Sequence, residues 1–177
     1  NKGVGLWTDI DNIDSLYENN RVTDNDLNGI FHEISYRAVI RNNIVERNGF
    51  ATGWPSWMDG GGIVVAHSPD VEVYGNTVTN NRQGIGGLQS NRGSGRYGAY
   101  VLRNLYVHDN TVTMSVGVTG IMQDVGSTAV FTSLNNRYEN NTYRLGSQAQ
   151  YFPWMNGSRN EAEWRGFGLD TNGTFIR

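Results

Sequence analysis

The sequence contains no cysteine, which excludes disulfide bridges, thiol catalysis and thiolate-bound metals. Only three prolines occur, against 23 glycines in 177 residues. No run of 18 apolar residues is present, so no segment is long enough to cross a bilayer as a helix. The net charge is −3, so no basic field indicates a nucleic acid or an anionic membrane as a partner. We therefore expect neither nucleic-acid binding nor membrane insertion.

Glycine and asparagine are abundant, and both tolerate the left-handed backbone of tight corners, which favours a turn-rich all-β protein. A segment centred on asparagine recurs five times, at intervals of 23, 33, 34 and 26 residues. Its central residues are Asn20, Asn43, Asn76, Asn110 and Asn136. A period of this size is typical of stacked-repeat proteins, and the two long intervals indicate coils with an insertion of about ten residues.

Each repeat also contains a strand that starts with glycine and an aliphatic residue. These strands begin at Gly5, Gly29, Gly62, Gly84 and Gly120. Apolar residues follow a period of two within the strands, which is the β period. Stacking the repeats buries one continuous core, and the central asparagines are expected to form a hydrogen-bonded ladder at one corner.

The pattern predicts a parallel β-solenoid of about five coils in a single domain, 1–177. The coils are expected over about 5–141 and an aromatic-rich C-terminal cap over about 142–177, with a short helix near 160–164. The chain begins at Asn1 and enters the first coil at once. We therefore expect it to be the C-terminal portion of a longer chain, with missing upstream coils or a second copy at its open N-terminal end.

From Gly5 to about Asn141, the asparagine segments and Gly-Ile starts resemble the right-handed parallel β-helix proteins of the pectate-lyase-like superfamily. The runs 29–36 and 164–174 are similar to bacterial secreted β-helix repeat proteins. This resemblance implies a right-handed parallel β-helix, a secreted or cell-surface location and a polysaccharide partner. It implies no particular reaction, because the catalytic motifs of polygalacturonases, pectate lyases and mannuronan epimerases are absent.

Three acidic residues fall at the fifth place of the glycine-led strands and are predicted to point outward. They are Asp9, Glu33 and Asp124, with Ala66 and Leu88 between them in the row. Asp9 and Glu33 belong to adjacent coils, so their backbones should lie ~5 Å apart. Such a pair suits the two carboxylates of a retaining glycosidase. The alternatives are a Ca²⁺ held by both carboxylates, the one cofactor we consider, and ordinary solvated surface charge.

The chain contains three histidines, and histidine is the usual acid or base near neutral pH. His32 precedes Glu33 and is the preferred catalytic assistant over His67 and His108, because Asp9 and Tyr36 are expected near it. The alternation of the strand makes its position inward or at a corner. A hydrogen-bonded structural histidine is therefore the alternative.

The two insertions carry candidate substrate-binding residues. The first, 50–61, contains Trp54, Trp57 and Asp59, and Trp7 extends the same aromatic surface, which suits stacking on sugar rings. The alternative is that these tryptophans shield the solenoid. The second insertion, 90–103, is a Gly-Ser-Gly turn with Arg92, Arg96 and Tyr97, and its arginines suit pairing with uronate carboxylates or ordinary surface exposure.

Three functions follow as hypotheses. The first is a polysaccharide-active enzyme, a lyase, glycoside hydrolase or epimerase, with the glycan in a lateral groove. The second is a non-catalytic carbohydrate-binding module that uses the same aromatic residues. The third is a structural solenoid that serves assembly.

Overall fold

The computed structural model describes residues 1–51 and 57–177. The strands of the first three coils are β1 (Leu6–Asp9), β2 (Ser15–Glu18), β3 (Arg21–Thr23), β4 (Ile30–Glu33), β5 (Ala38–Arg41), β6 (Ile44–Glu46), β7 (Gly61–Ala66), β8 (Val71–Tyr74) and β9 (Thr77–Thr79). The later strands are β10 (Gln83–Gln89), β11 (Ser94–Gly95), β12 (Gly98–Ala99), β13 (Tyr106–His108), β14 (Thr111–Met114), β15 (Gly120–Gln123), β16 (Arg137–Glu139), β17 (Thr142–Leu145), β18 (Phe152–Trp154), β19 (Gly157–Arg159) and β20 (Thr174–Ile176). The helices are α1 (Ala129–Thr132) and α2 (Glu161–Gly166).

Three parallel sheets form the faces of the molecule. The first sheet has the order β1-β4-β7-β10-β15, the second β16-β13-β8-β5-β2, and the third β20-β17-β14-β9-β6-β3. Each coil contributes one strand to each sheet, and equivalent strands of successive coils hydrogen-bond in parallel. The prediction of a parallel β-helix of about five coils is therefore confirmed.

The core lies between the three sheets and is built from inward rows of apolar side chains. In the third sheet, Val22 pairs with Val45, Val45 with Val78, and Val78 with Val112. All four valines are buried, whereas their neighbours along the strands are exposed or partly exposed. The β period of the sequence thus places a continuous apolar column inside the solenoid.

Asparagine ladders stabilise two corners of the solenoid. In the first ladder, the backbone N–H and side-chain amide of Asn20 both donate to Oδ1 of Asn43, at 3.0 and 2.9 Å. Asn43 donates in the same way to Asn76, and Asn76 to Asn110. A second ladder joins Asn25, Asn48 and Asn81. Each asparagine satisfies backbone groups of neighbouring coils that the turn leaves without sheet partners.

The prediction that Asn136 continues the first ladder is wrong. Asn110 donates instead to Asn141. Asn136 accepts from the backbone N–H of Leu105, and these two residues directly precede β16 and β13 of the second sheet. Tyr138 consequently pairs with Val107 in the second sheet and not with the valine row of the third. The sequence contains two Asn-Asn pairs five residues apart, at 135–136 and 140–141, and pattern alone did not separate them.

The predicted position of Asp124 in the acidic row is also wrong. Asp9, Glu33, Ala66 and Leu88 are in register as predicted, but Leu88 pairs with Met122. The fifth coil is shifted by two residues, so that Gly87 and not Ile85 lies beside Ile121. Gly87 has no side chain, and the inward space that it leaves is filled by Leu102, Leu105 and Ile121. Core packing therefore selects this register.

An aromatic cluster covers the C-terminal end, as the sequence predicts. Phe152 stacks on Trp164 at a centroid distance of 4.9 Å, and Tyr138 meets the same indole edge to face. Asn160 caps α2 in a capping box with Glu163, which confirms the predicted short helix. The third sheet runs on into this region through β17 and β20. The exact division into coils and cap remains a prediction.

A buried aspartate ends the first ladder. Asp170 accepts from the backbone and side-chain amides of Asn141 at 2.9 Å, and from Tyr143 and Trp164 at 2.8 and 3.0 Å. A carboxylate only accepts hydrogen bonds, so aspartate suits a rung that receives four donors and has no further asparagine to supply. The burial of Tyr143 raises the pKa of its hydroxyl far above the ordinary value for tyrosine, and the negative charge of Asp170 adds to the rise.

At the opposite end, β1, β2 and β3 have a neighbour on one side only within the described part of the chain. Upstream coils or a second copy at this end remain a prediction. None of the helices that the structure describes combines the length and the apolar character of a membrane span.

Candidate functional site

The outer face of the first sheet carries an exposed aromatic surface. Trp7 and Phe31 are directly paired on β1 and β4, and their rings stack at 6.2 Å with an angle of 16° between the planes. Trp7 is 55% exposed although it is a large apolar side chain. Two nearly parallel aromatic rings, one of them largely exposed, offer an apolar surface that suits stacking of a flat or ring-shaped ligand.

The described end of the first insertion crosses this same face. Met58 is fully buried and packs over Gly86 on β10, where an added Cβ would collide with the methionine side chain. Val64 of the neighbouring strand β7, which pairs with Gly86, also has no exposed surface. The contact holds Trp57 and Asp59 beside the aromatic surface. Trp54, the other predicted sugar-stacking tryptophan of this insertion, lies outside the described residues.

The second insertion reaches the same face through Arg92. Its guanidinium Nη1 lies 2.9 Å from Oε1 of Glu33, and the Glu33 side chain is only 13% exposed. The two residues are 59 positions apart in sequence. Their contact brings the long connection between β10 and β13, which carries Arg92, onto the outer face of the first sheet. The ion pair fixes both the carboxylate and the guanidinium in the wall.

Together these groups form the acidic pocket, a cavity of about 410 Å³ over the first two strands of the first sheet. Its lining includes Trp7, Phe31, Glu33, Trp57, Asp59 and Arg92. Five of these six residues are predicted substrate-binding or catalytic residues, and the sixth, Phe31, stacks on Trp7. Aromatic surfaces combined with a few convergent polar groups are typical of small-molecule and sugar sites.

Asp59 has an environment that differs from that of Glu33. Partial burial raises the pKa of Asp59 above its ordinary value, and the positive charge of Arg82 opposes the rise. Glu33, in contrast, is bonded to a guanidinium. A pair of carboxyl groups in unlike surroundings is the arrangement in which one acts as proton donor and the other as a charged base or nucleophile.

A second cavity, here called the distal pocket, continues the groove along the solenoid axis. Its volume is about 490 Å³, and its lining includes Met122, Asp124 and Asn156 from the fifth coil and the cap. Trp57 lines both cavities. The groove therefore extends along the first sheet on both sides of this tryptophan.

Asp9 lies beside Glu33 in register, as predicted, but is not among the lining residues of the acidic pocket. Its Oδ1 is buried and lacks a hydrogen-bond partner among the described residues. No three histidine, aspartate or glutamate side chains in residues 1–51 and 57–177 converge as metal ligands. The Ca²⁺ alternative at Asp9 and Glu33 remains a prediction.

His32 is placed on the inner side of β4, away from both carboxylates. It is fully buried, its Nε2 donates to the carbonyl of Tyr36 at 3.1 Å, and its Nδ1 lies 2.8 Å from the hydroxyl of Thr8. Burial lowers its pKa to about 4, and the bond to the carbonyl opposes this only in part. This environment favours the structural alternative for His32 over the catalytic one.

The other two histidines, His67 and His108, lie on different parts of the molecule. His108 stacks between Tyr74 and Tyr106 on the outer face of the second sheet, with its nitrogens bonded to Glu72 and Asp109. His67 follows β7 and lines the acidic pocket. The sequence analysis preferred His32 and did not select His67. The available signal was its place directly after the acidic row, on the coil next to Glu33.

Arg96 and Tyr97 are not brought into the acidic pocket. They form the turn of the β11–β12 hairpin, where the backbone N–H of Arg96 donates to Asp11 and the Tyr97 ring packs against Tyr36. The Arg96 guanidinium lies 5.5 Å from the Tyr97 ring. This hairpin anchors the second insertion to the corner between the first two sheets, and Arg92 alone of the predicted arginines reaches the pocket.

We expect Gly86→Ala to displace Met58 and open the acidic pocket. The new methyl group must occupy space that the methionine fills, and such overpacking costs about 2 kcal/mol, a fall in Tm of roughly 6 °C. Thermal unfolding and tryptophan fluorescence measure the loss and the movement of Trp57. The control is Gly166→Ala in α2, where a Cβ meets open space and the Tm should not fall. Equal Tm values for the two variants would contradict this role of Met58.

Comparison with known proteins gives one match. A family model described as a right-handed beta helix region matches residues 10–166. No curated protein and no solved structure matches the chain.

Proposed function

Because the chain belongs to the right-handed β-helix family, we propose that it binds and acts on a polysaccharide in the groove over its first sheet. One observation carries the proposal: Trp7, Glu33, Trp57, Asp59 and Arg92 converge on one pocket although they come from four separate segments of the chain. A secreted or cell-surface location is part of the same proposal.

The groove dimensions suit an extended glycan. Strands of a sheet lie about 4.8 Å apart, so the five strands of the first sheet span roughly 19 Å along the axis. The acidic and distal pockets adjoin at Trp57 along this line. Sugar units would then stack on Trp7 and Trp57, with the axis of the glycan along the solenoid.

The reaction that the groups support best is hydrolysis of a glycosidic bond. Asp59, whose pKa is raised by burial, would give its proton to the oxygen of the leaving sugar. Glu33, paired with Arg92, would assist the attack at the anomeric carbon, either by taking a proton from water or as the nucleophile. The separation of the two carboxyls around a bound glycan distinguishes these two routes. Asp59 then acts as the partner carboxyl of Glu33, the role for which the sequence had suggested Asp9.

A non-catalytic binding module is the second candidate. The Glu33–Arg92 ion pair favours it, because a carboxylate that serves only to hold the wall of a pocket has the same contact. The two candidates predict the same dependence of binding on the aromatic residues. They differ in whether bound glycan is cleaved.

Trp7→Ala tests the proposed binding surface. We expect about tenfold weaker binding of the glycan, equivalent to ~1.4 kcal/mol, because the sugar loses one stacking ring. Affinity electrophoresis against a panel of polysaccharides, followed by calorimetry on those that retard the protein, measures the change. Tyr97→Ala is the matched control, since Tyr97 is also exposed but lies outside the pocket. A loss confined to the Tyr97 variant would move the binding surface to the hairpin.

A further inference from the structure

His67 is a buried histidine in the wall of the acidic pocket. It is 5% exposed, it lines the acidic pocket, and neither ring nitrogen has a partner among the described residues. His32 and His108 both bond through each of their nitrogens. Buried polar groups in folded proteins are almost always satisfied, so an exception in a pocket indicates a missing ligand.

The protonation state of His67 limits what that ligand is. Burial lowers its pKa to about 4, the nearby Arg92 adds to the effect, and Asp124 opposes it. At neutral pH the ring is therefore uncharged and offers one N–H donor and one nitrogen acceptor. A hydroxyl group both accepts and donates, so a polyhydroxylated ring satisfies both nitrogens. A carboxylate only accepts and leaves one nitrogen unsatisfied.

The charges around His67 favour the same ligand. The pocket contains the carboxyl groups of Glu33 and Asp59, and Arg92, the one cation in its described lining, is already bonded to Glu33. A uronate carboxylate entering here would find no unpaired guanidinium among the described lining residues and would lie close to the negative charge of Glu33. Like charges brought together in this way oppose binding.

We propose that His67 is a ligand-binding residue that hydrogen-bonds the hydroxyls of an uncharged sugar unit, so that neutral polysaccharides and not uronate polymers are the substrate class. This rests on the proposed function, because it takes the acidic pocket as the glycan site. It narrows that function by disfavouring the lyase and epimerase reactions, which act on uronate units.

Calorimetry with hexasaccharide probes at pH 7 and low salt tests the inference. The neutral probes are the hexamers of cellulose, xylan and mannan, and the acidic probes are the hexamers of galacturonate and mannuronate. We expect the wild-type protein to bind at least one neutral hexamer ten times more tightly than either acidic one. His67→Leu should weaken that binding at least tenfold. His67→Asn should retain more affinity, because asparagine keeps a donor and an acceptor and tolerates the left-handed backbone at this position, φ 52°.

The outcomes separate the inference from the function on which it rests. A wild-type protein that binds none of the hexamers removes the proposed function, and the role of His67 with it. Tighter binding of the acidic hexamers, or neutral binding that is the same in His67→Leu, overturns only the inference. His108→Gln, on the second sheet, is the control and should bind like wild type. The ¹⁵N shifts of the His67 ring in the wild-type protein should move on saturation with the neutral hexamer, and unmoved shifts would also overturn the inference.

Discussion

Replacing Asn76 with alanine lowers the free energy of unfolding by about 4 kcal/mol, a large part of the stability of an ordinary domain. Asn76 is buried, and its Oδ1 accepts from two donors of Asn43. Its amide nitrogen donates to the carbonyls of Ile40 and Tyr74 and to Asn110. Alanine removes the acceptor of the buried Asn43 backbone N–H and a donor to the Ile40 carbonyl, and each buried group left unsatisfied costs about 1–3 kcal/mol.

Urea unfolding followed by circular dichroism measures this loss, provided that the slope of the transition stays unchanged between the variants. Asn172→Ala is the control because Asn172 is exposed in the C-terminal region, and its substitution should change stability by no more than about 0.5 kcal/mol. A loss below about 1 kcal/mol at Asn76 would show that the ladder contributes little beyond the valine column next to it.

We expect the replacement of Glu33 with glutamine to lower turnover of a glycan substrate by about 1000-fold, while the dissociation constant of the glycan changes less than about threefold. Glutamine has the size of glutamate, and its amide oxygen still accepts from Arg92, so the wall of the pocket is preserved. It carries no charge and takes up no proton. The chemical step is therefore lost and the stacking on Trp7 is retained.

Reducing ends released from the glycan measure turnover, and calorimetry measures binding. Glu46→Gln is a closely matched control, because Glu46 pairs with Arg21 at 2.9 Å and is 20% exposed, but lies on the third sheet. Its substitution should leave both quantities unchanged. Turnover that persists in Glu33→Gln would exclude a catalytic role, and a wild-type protein that binds glycan without cleaving it would favour the binding module.

The strand register could be predicted wherever successive coils repeat the same local signals. The pairing of Asp9 with Glu33 and the ladder from Asn20 to Asn110 follow from alternation and from glycine or asparagine at the corners. The prediction failed in the fifth coil, where two Asn-Asn pairs compete and where Gly87 admits Ile121. In that coil the choice depends on which side chains fill the core.

The candidate site was predictable as a set of residues but not as an arrangement. Trp7, Glu33, Trp57, Asp59 and Arg92 were identified from residue type and from the insertions that carry three of them. The sequence left an inward position of His32 as one alternative. Its hydrogen bonds to Thr8 and Tyr36 show that the ring points inward. The unsatisfied nitrogens of His67 are visible only when every neighbour of the ring is in place.

The sequence by itself determined the solenoid, because a repeated period acts through contacts between equivalent residues of adjacent coils and the same local signal is present in each. Only the tertiary structure decided the pocket. The insertions do not repeat, and their position over the first sheet depends on single contacts between distant segments, Met58 on Gly86 and Arg92 with Glu33. Such contacts leave no periodic trace in the sequence, since each of them is made once.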